Sequence, residues 1–286
     1  MYKLGIDLGA SHIGLGLVKN NKLIKKKYIT YNPPSKIYNK IFNKKITEKY
    51  CNFLIREIDL FVDNKKINYI GIGCPGGYDP ENTIFYGSKA LVVGKINFKR
   101  VLAKYKVPVY IDNDCNCAAI AEAKNTNLNE FLMITIGTGV GFSLINKKSN
   151  EIFLAKDEVI WKILNINKIP NSKHNKYIAS FKYLSNQYNK KVGKKLKREA
   201  IFLDNASQKE LLEKYISNFV TGINLLNAQL GIKNICIGGS FSIYSAHYLN
   251  KLRDLLPEYN IFIAKNFNDS GIIGATNLPV AKIKKN

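Results

Sequence analysis

Two carboxylates and an amide, Asp112, Asn113 and Asp114, stand directly after an apolar run in "VPVYIDNDCNCAAIAEA" (107–123). Val107, Val109, Tyr110 and Ile111 read as a short buried strand, and the small residues and two cysteines that follow read as a helix. A carboxylate fixed at a strand tip can accept a proton, and an amide offers both a donor and an acceptor. The competing role is structural, because an Asp or Asn at this position also caps the first N–H groups of a helix.

Three glycine-containing turns offer a second kind of chemistry. "DLGAS" (Asp7 to Ser11) sets an acid, a glycine and a hydroxyl at a strand-to-strand turn. Backbone N–H groups there can hold phosphate oxygens, and Asp7 can hold Mg²⁺ through water. "GTGVG" (Gly137 to Gly141) repeats the design, with Thr138 adding a hydroxyl, and "GGS" (Gly238 to Ser240) follows another buried strand. Each alone is weak, since most short glycine turns are only turns. Three at strand ends point to a nucleotide, although none matches the Walker or dinucleotide fingerprints.

The elements that must position these residues repeat. "YKLGIDLGA", "HIGLGLVKN" and "KLIKKKYIT" read as a three-stranded meander, followed by an amphipathic helix over about 38–62. "INYIGIGCPGG" is a buried strand, "FKRVLAKY" a short helix and "VPVYIDND" the next strand, completing a βββαβαβ pattern by residue 112. "EFLMITIGTGVGFSLINKKS" then begins the pattern again. It leads to a helix from Ser207 to Leu230, the strand "NICIGGS", a helix from His247 to Leu256, the strand "NIFIAK" and a terminal helix opening at Asp269. Residues 147–175 have no period and read as a loop-rich insertion. Two copies of one α/β unit predict two domains facing across a cleft.

Composition narrows the function classes. The 286 residues carry a formal charge of +23, but arginine occurs only at Arg56, Arg100, Arg198 and Arg253. Diffuse lysine without arginine reads as a solvated surface rather than a nucleic-acid face, so no nucleic-acid partner is expected. The runs Lys25 to Lys27 and Lys190 to Arg198 are the local anion-site candidates. No apolar run reaches membrane-spanning length, and Asp7 comes too early for a signal peptide, which predicts a cytoplasmic protein away from membranes. Five scattered cysteines predict reduced, packed thiols.

In combination, "GIDLGAS … GIGCPGG … IDNDCNCAAIAEA … TIGTGVG … ICIGGSFS … GIIGATNL" resembles the ROK family of sugar kinases and sugar-responsive repressors, nearly end to end. The resemblance implies an α/β fold of two actin-like (ribonuclease H-like) domains around an interdomain cleft. The first would take 1–112 with about 270–286, and the second 113–269. It implies ATP and Mg²⁺ as cofactors and a hexose or hexose derivative as acceptor. Asp112 to Asp114 would match the family's sugar signature, with Asp114 the catalytic base and Asn113 a sugar ligand. Asp7, Gly9 and Ser11, with Gly137, Thr138 and Gly139, would hold the ATP phosphates, and Gly239 would lie near the adenosine. The sequence leaves a homodimer open.

Two departures from the family pattern bear on the sugar. The segment "DEVIWKILNINKIPNSKHNKYIAS" keeps Glu158 but sets Trp161 where the family has an imidazole, and His174 and Lys176 where it has a cysteine and a carboxylate. The family's zinc cluster is thereby missing, so no zinc is expected. Glu158, Trp161 and Lys176 remain the substrate-binding candidates, and the Asn-Leu pair of the family's substrate loop is not found around Ser88 and Lys89. A sugar-sensing regulator without turnover is the alternative; no helix-turn-helix precedes "YKLGIDLG".

Overall fold

The computed structural model describes residues 1–9, 12–30, 44–88, 91–148, 151–154, 160, 178–203 and 207–279. Alternating side chains make β1 (Tyr2–Leu8), β2 (His12–Lys19) and β3 (Lys22–Thr30) an antiparallel meander. Leu4, Ile6 and Leu8 are buried on one face of β1, and Lys3, Gly5 and Asp7 fall on the other. β4 (Ile67–Cys74) joins β1 in parallel. β5 (Tyr78–Asp79), β6 (Ile84–Phe85) and β7 (Ile96–Asn97) form a small separate sheet that the sequence did not announce. β8 (Val109–Asn113) then pairs parallel with β4, and the main sheet runs β3-β2-β1-β4-β8. The buried strand expected at 107–111 is therefore an edge strand. Ile111 is buried, Val109 and Tyr110 are half-buried, and Val107 lies outside it.

Helix α1 (Lys44–Val62) sets Tyr50, Leu54, Ile58 and Phe61 into one core with Leu4, Ile6 and Ile72. The rest of the helix expected from residue 38 lies outside the described residues. The short helix expected at "FKRVLAKY" is broken into α2 (Phe98–Val101) and a 3₁₀ turn, Ala103–Tyr105. Asn97 starts it by accepting from the Arg100 N–H at 2.9 Å. Helix α3 (Asp114–Ala123) follows β8 without a loop.

The second half repeats the plan. β9 (Glu130–Ile136), β10 (Val140–Lys148) and β11 (Glu151–Leu154) are antiparallel. Helices α4 (Phe181–Val192) and α5 (Ser207–Leu230) follow. β12 (Asn234–Gly238), α6 (Leu249–Leu255) and β13 (Asn260–Ile263) complete the sheet β11-β10-β9-β12-β13, with its last two strands parallel to β9. β11 corrects the loop reading of 147–175 in part; within 155–175 only Ile160 is described, and it is buried. Helix α4 was also missed, although Ser180 caps it by accepting from the Tyr183 N–H at 3.1 Å. α6 is shorter than expected because 240–247 winds into 3₁₀ turns. Helix α7 (Ser270–Ala275) ends the described fold.

One compact unit takes Met1–Asn125 and reclaims a C-terminal segment from Asp269; the other begins at Thr126. The expected boundary at 112/113 therefore falls too early, ahead of α3 rather than after it. Packing of α3 on α7 is the reason. A Cβ built on Gly274 would lie 1.6 Å from the Cys117 carbonyl oxygen, so the two backbones touch. The buried Glu122 accepts from the Ser270 hydroxyl at 3.2 Å across the same contact. Asn113 and Asp114 thus belong to the first unit.

Candidate active site

Strand register sets Asp7 beside Gly73, and Gly73 beside Asp112, at the carboxyl ends of β1, β4 and β8. In open α/β sheets this edge is where ligands bind. The absence of a side chain at Gly73 brings the start of α3 close: a Cβ there would meet Asp114 Cα at 3.4 Å.

The three residues of the signature take three different tasks. Asp112 is 2% exposed, and its Oδ1 accepts from the Tyr78 hydroxyl at 2.5 Å, the Asn113 N–H at 2.7 Å and Asn116 Nδ2 at 2.8 Å. It locks β8, the small sheet and α3 together. Asn113 is the N-cap: its Oδ1 accepts from the N–H groups of Cys115 at 2.9 Å and Asn116 at 3.3 Å. That leaves the Asn113 amide nitrogen to donate to a ligand. Asp114 accepts from the Cys115 N–H at 2.9 Å, and burial pushes its carboxyl up to about 6 against that bond.

Asp7 completes the edge. Its carboxylate rests on the backbone of Gly271, where a Cβ would come within 2.9 Å of Asp7 Cγ. Burial first, and the charge of Asp114 second, push Asp7 up to about 7. Two carboxylates that repel one another in this way suit a shared cation, whose charge would restore both to the ionised form. Among the described residues no group of three or more His, Cys, Asp and Glu side chains could hold a metal ion. Any Mg²⁺ here would therefore complete its shell with water and phosphate.

Beyond Asp7, the first glycine turn closes by a bond from the Gly9 N–H to the His12 carbonyl at 2.9 Å. His12, to which the sequence assigned no partner, lies edge-on to Tyr28 with ring centroids 5.5 Å apart. Tyr28 in turn donates to Asp269 at 2.6 Å. Ser11, Glu158, Trp161 and Lys176 lie outside the described residues.

In the second unit the other two turns converge. The Gly137 N–H donates to the Gly139 carbonyl at 2.9 Å, and the Gly137 carbonyl accepts from the Lys182 N–H at 3.2 Å. Gly239 has φ +77, and a Cβ on it would lie 2.7 Å from the Ile136 carbonyl oxygen, so only glycine fits against the end of β9. Ser240 Oγ is buried without a hydrogen-bond partner among the described residues, and a Cβ on Gly137 would sit 3.5 Å from it. A cradle of backbone and hydroxyl groups with an unpaired Ser240 fits phosphate or sugar oxygens of a nucleotide. Arg198 ends the basic run 190–198 that the sequence marked as an anion-site candidate, and its Nη2 donates to Thr138 Oγ1 at 3.2 Å, a link no local pattern announced. Sequence reasoning missed Tyr78, since no local pattern tied it to Asp112.

Residues 3–151, just over half of the chain, match the ROK family. The chain belongs to the ROK family. Among curated relatives of this ROK protein, the beta-glucoside kinase of Listeria innocua is 28% identical over 251 residues, covering 78% of this chain and 83% of the relative. Among solved structures, a ROK family glucokinase from Streptomyces griseus, in complex with glucose and AMPPNP, superposes with a TM-score of 0.75 at 14% identity. That match covers 97% of this chain and 98% of the other. A ROK family transcriptional regulator, a homologue of the E. coli MLC protein, gives a TM-score of 0.72 at 13% identity over 96% of this chain and 76% of the regulator. Kinases and regulators share this fold, so the ROK fold alone does not choose between them.

Proposed function

We propose that this ROK protein is an ATP- and Mg²⁺-dependent kinase that transfers a γ-phosphoryl group to a hydroxyl of a hexose or hexose derivative. The observation that carries the reading is Asp114, a buried carboxyl held at a strand edge by a backbone N–H and raised to about 6. A base with its pKa near neutrality can take a proton and still be ionised in the cell. The sugar hydroxyl is a poor nucleophile until that proton has somewhere to go. Asn113 orients the acceptor through its amide nitrogen while its oxygen caps α3.

In this reading Asp7, Gly9 and Ser11 face the phosphates from the first unit, and Gly137, Thr138 and Gly139 do so from the second. Gly239 takes the backbone close to the adenosine. Bound Mg²⁺ would supply charge neutralisation at Asp7 for the transferring group. The interdomain cleft implied by the duplicated plan is part of the same proposal, since closure would keep water from the phosphoryl group. Glu158, Trp161 and Lys176 belong to the proposal on the sugar side. An indole and an ammonium where relatives have an imidazole and a carboxylate remove two acceptors for sugar hydroxyls. Glucose is then a poor acceptor, and a larger or anionic derivative a better one. Reduced cysteines and the use of ATP suit a cytoplasmic setting; among the described residues no helix is long and apolar enough to cross a membrane.

The test is coupled ADP release with ATP and Mg²⁺ against hexoses, amino sugars, their N-acetyl forms and β-glucosides. Sugar-dependent ADP release with at least one of them supports the kinase. Sugar binding by calorimetry without any ADP release would move the sensing regulator ahead of it.

A further inference from the structure

The second unit holds a guanidinium that the mechanism above leaves unused. Arg198 opens the 3₁₀ turn Arg198–Phe202, is half-buried, and donates from Nη2 to Thr138 Oγ1 at 3.2 Å. Thr138 is the middle residue of the turn between β9 and β10. Among the described residues, no carboxylate forms an ion pair with Arg198. Glu199 is the nearby acid that favours its charge, but that carboxylate hydrogen-bonds with the Tyr244 hydroxyl. Tyr244 itself is stacked on Phe202, with ring centroids 4.6 Å apart, which fixes the turn that carries Arg198. Burial meanwhile pulls the guanidinium pKa below its ordinary value. A half-buried cation without an ion pair is costly unless an anion arrives.

The neighbouring groups say where that anion would sit. The Gly137 N–H is spent on the Gly139 carbonyl, so the turn cannot offer all of its amides to a phosphate. Side chains must make up the donors. Ser240 Oγ, buried and without a hydrogen-bond partner among the described residues, lies against Gly137 on one side, and Arg198 reaches Thr138 from its own element. Among the described residues, nothing lies within 4 Å of where a Cβ on Gly139 would be, so none of them covers the outer face of the turn there. A guanidinium presents five N–H donors in a planar fork, and the bond to Thr138 uses one.

We propose that Arg198 is a ligand of the donor's phosphate chain, held at the glycine turn by Thr138, so that the second unit recognises the donor with a side-chain cation as well as with backbone. The proposal rests on the kinase reading and adds a specificity residue to it. Loss of the charge should weaken ATP and spare adenosine, which has no phosphate for Arg198 to meet.

The experiment compares wild type, Arg198→Gln and Arg198→Lys for ATP and adenosine affinity, by calorimetry and ligand-observed NMR, with Tm measured on each. Arg198→Gln keeps a donor for Thr138 while removing the charge, and Arg198→Lys keeps the charge without the fork. The expected result is ATP binding weakened about tenfold or more in Arg198→Gln, the scale of one charge-assisted hydrogen bond. Adenosine affinity and Tm should stay at the wild-type values, with Arg198→Lys intermediate for ATP. Unchanged ATP affinity in Arg198→Gln, or equal weakening of ATP and adenosine, would overturn the assignment and leave Arg198 as a tether of its turn. Wild-type protein that binds neither ligand would overturn the kinase reading and the assignment with it, which separates the two failures.

Discussion

Asp114 helps to hold Asp7 near neutrality although a whole strand separates β1 from β8. Gly73 pairs with Asp7, and a Cβ on it would lie 3.4 Å from Asp114 Cα, so its lack of a side chain leaves that approach clear. The proposed catalytic base and the proposed metal-side acid are in this way electrostatically coupled.

Asp114→Asn keeps the shape and the acceptor for the Cys115 N–H but cannot take a proton. Sugar phosphorylation should fall by at least ~100-fold, in kcat more than in KM. Steady-state kinetics beside an ATP titration checks this; activity within a few-fold of wild type would remove Asp114 from the mechanism.

The rate should also have an acid limb. The base works ionised, and its pKa is raised to about 6, so kcat/KM for the sugar should fall as pH drops through about 6. Bound Mg²⁺ at Asp7 would move the limb lower, because a cation favours the ionised carboxyl. A flat profile from pH 8 down to 5 would contradict the assignment.

Stability should run the other way. Asp7 titrates at about 7 in the fold against 3.8 for a free side chain, so between those values the folded chain binds the extra proton. Protonation therefore stabilises the fold, and this contribution is lost as pH rises through about 7. Asp7→Asn should raise Tm by several degrees at pH 8 and change it little near pH 4, while weakening Mg²⁺-dependent ATP binding. Thermal melts at the two pH values, without ligand, decide it.

Asn113 can be split into its two tasks. Asn113→Ala loses the cap of α3 and should cost about 1 kcal/mol, read by denaturant unfolding. Asn113→Asp keeps a capping oxygen, so its stability should stay near wild type while KM for the sugar rises, because the amide donor is gone. Equal sugar kinetics in Asn113→Asp and wild type would leave the residue with the cap alone.

Gly274→Ala tests the packing that carries α3. With a Cβ only 1.6 Å from the Cys117 carbonyl oxygen, neither backbone has room to yield. The variant should lose more than ~3 kcal/mol or fail to fold, beyond the usual cost of overpacking. A soluble Gly274→Ala protein with wild-type Tm would mean that α3 and α7 do not cross so closely.

Periodicity and turn residues by themselves determined much of this protein. The meander, α1 from Lys44 onward, the exact span of Ser207–Leu230 and the duplication of a βββ-first plan are local patterns, and local patterns survive in sequence. So is the presence of Asp112, Asn113 and Asp114 at a strand tip. The resemblance implied roles for Asn113 and Asp114, but the structural task of Asp112 was not legible, because its partner Tyr78 lies 34 positions earlier. Tyr78 and Asn116 occupy Asp112, the first turn of α3 takes the Asn113 oxygen, and burial raises the Asp114 carboxyl. The membership of α3 in the first unit was likewise decided in three dimensions, by Gly274 more than 150 residues downstream. Arg198 looked like the end of a lysine run; tertiary packing put it on Thr138, 60 positions earlier. Such contacts are made between backbones and side chains that no period connects, and hence the fold, not the pattern, assigns them.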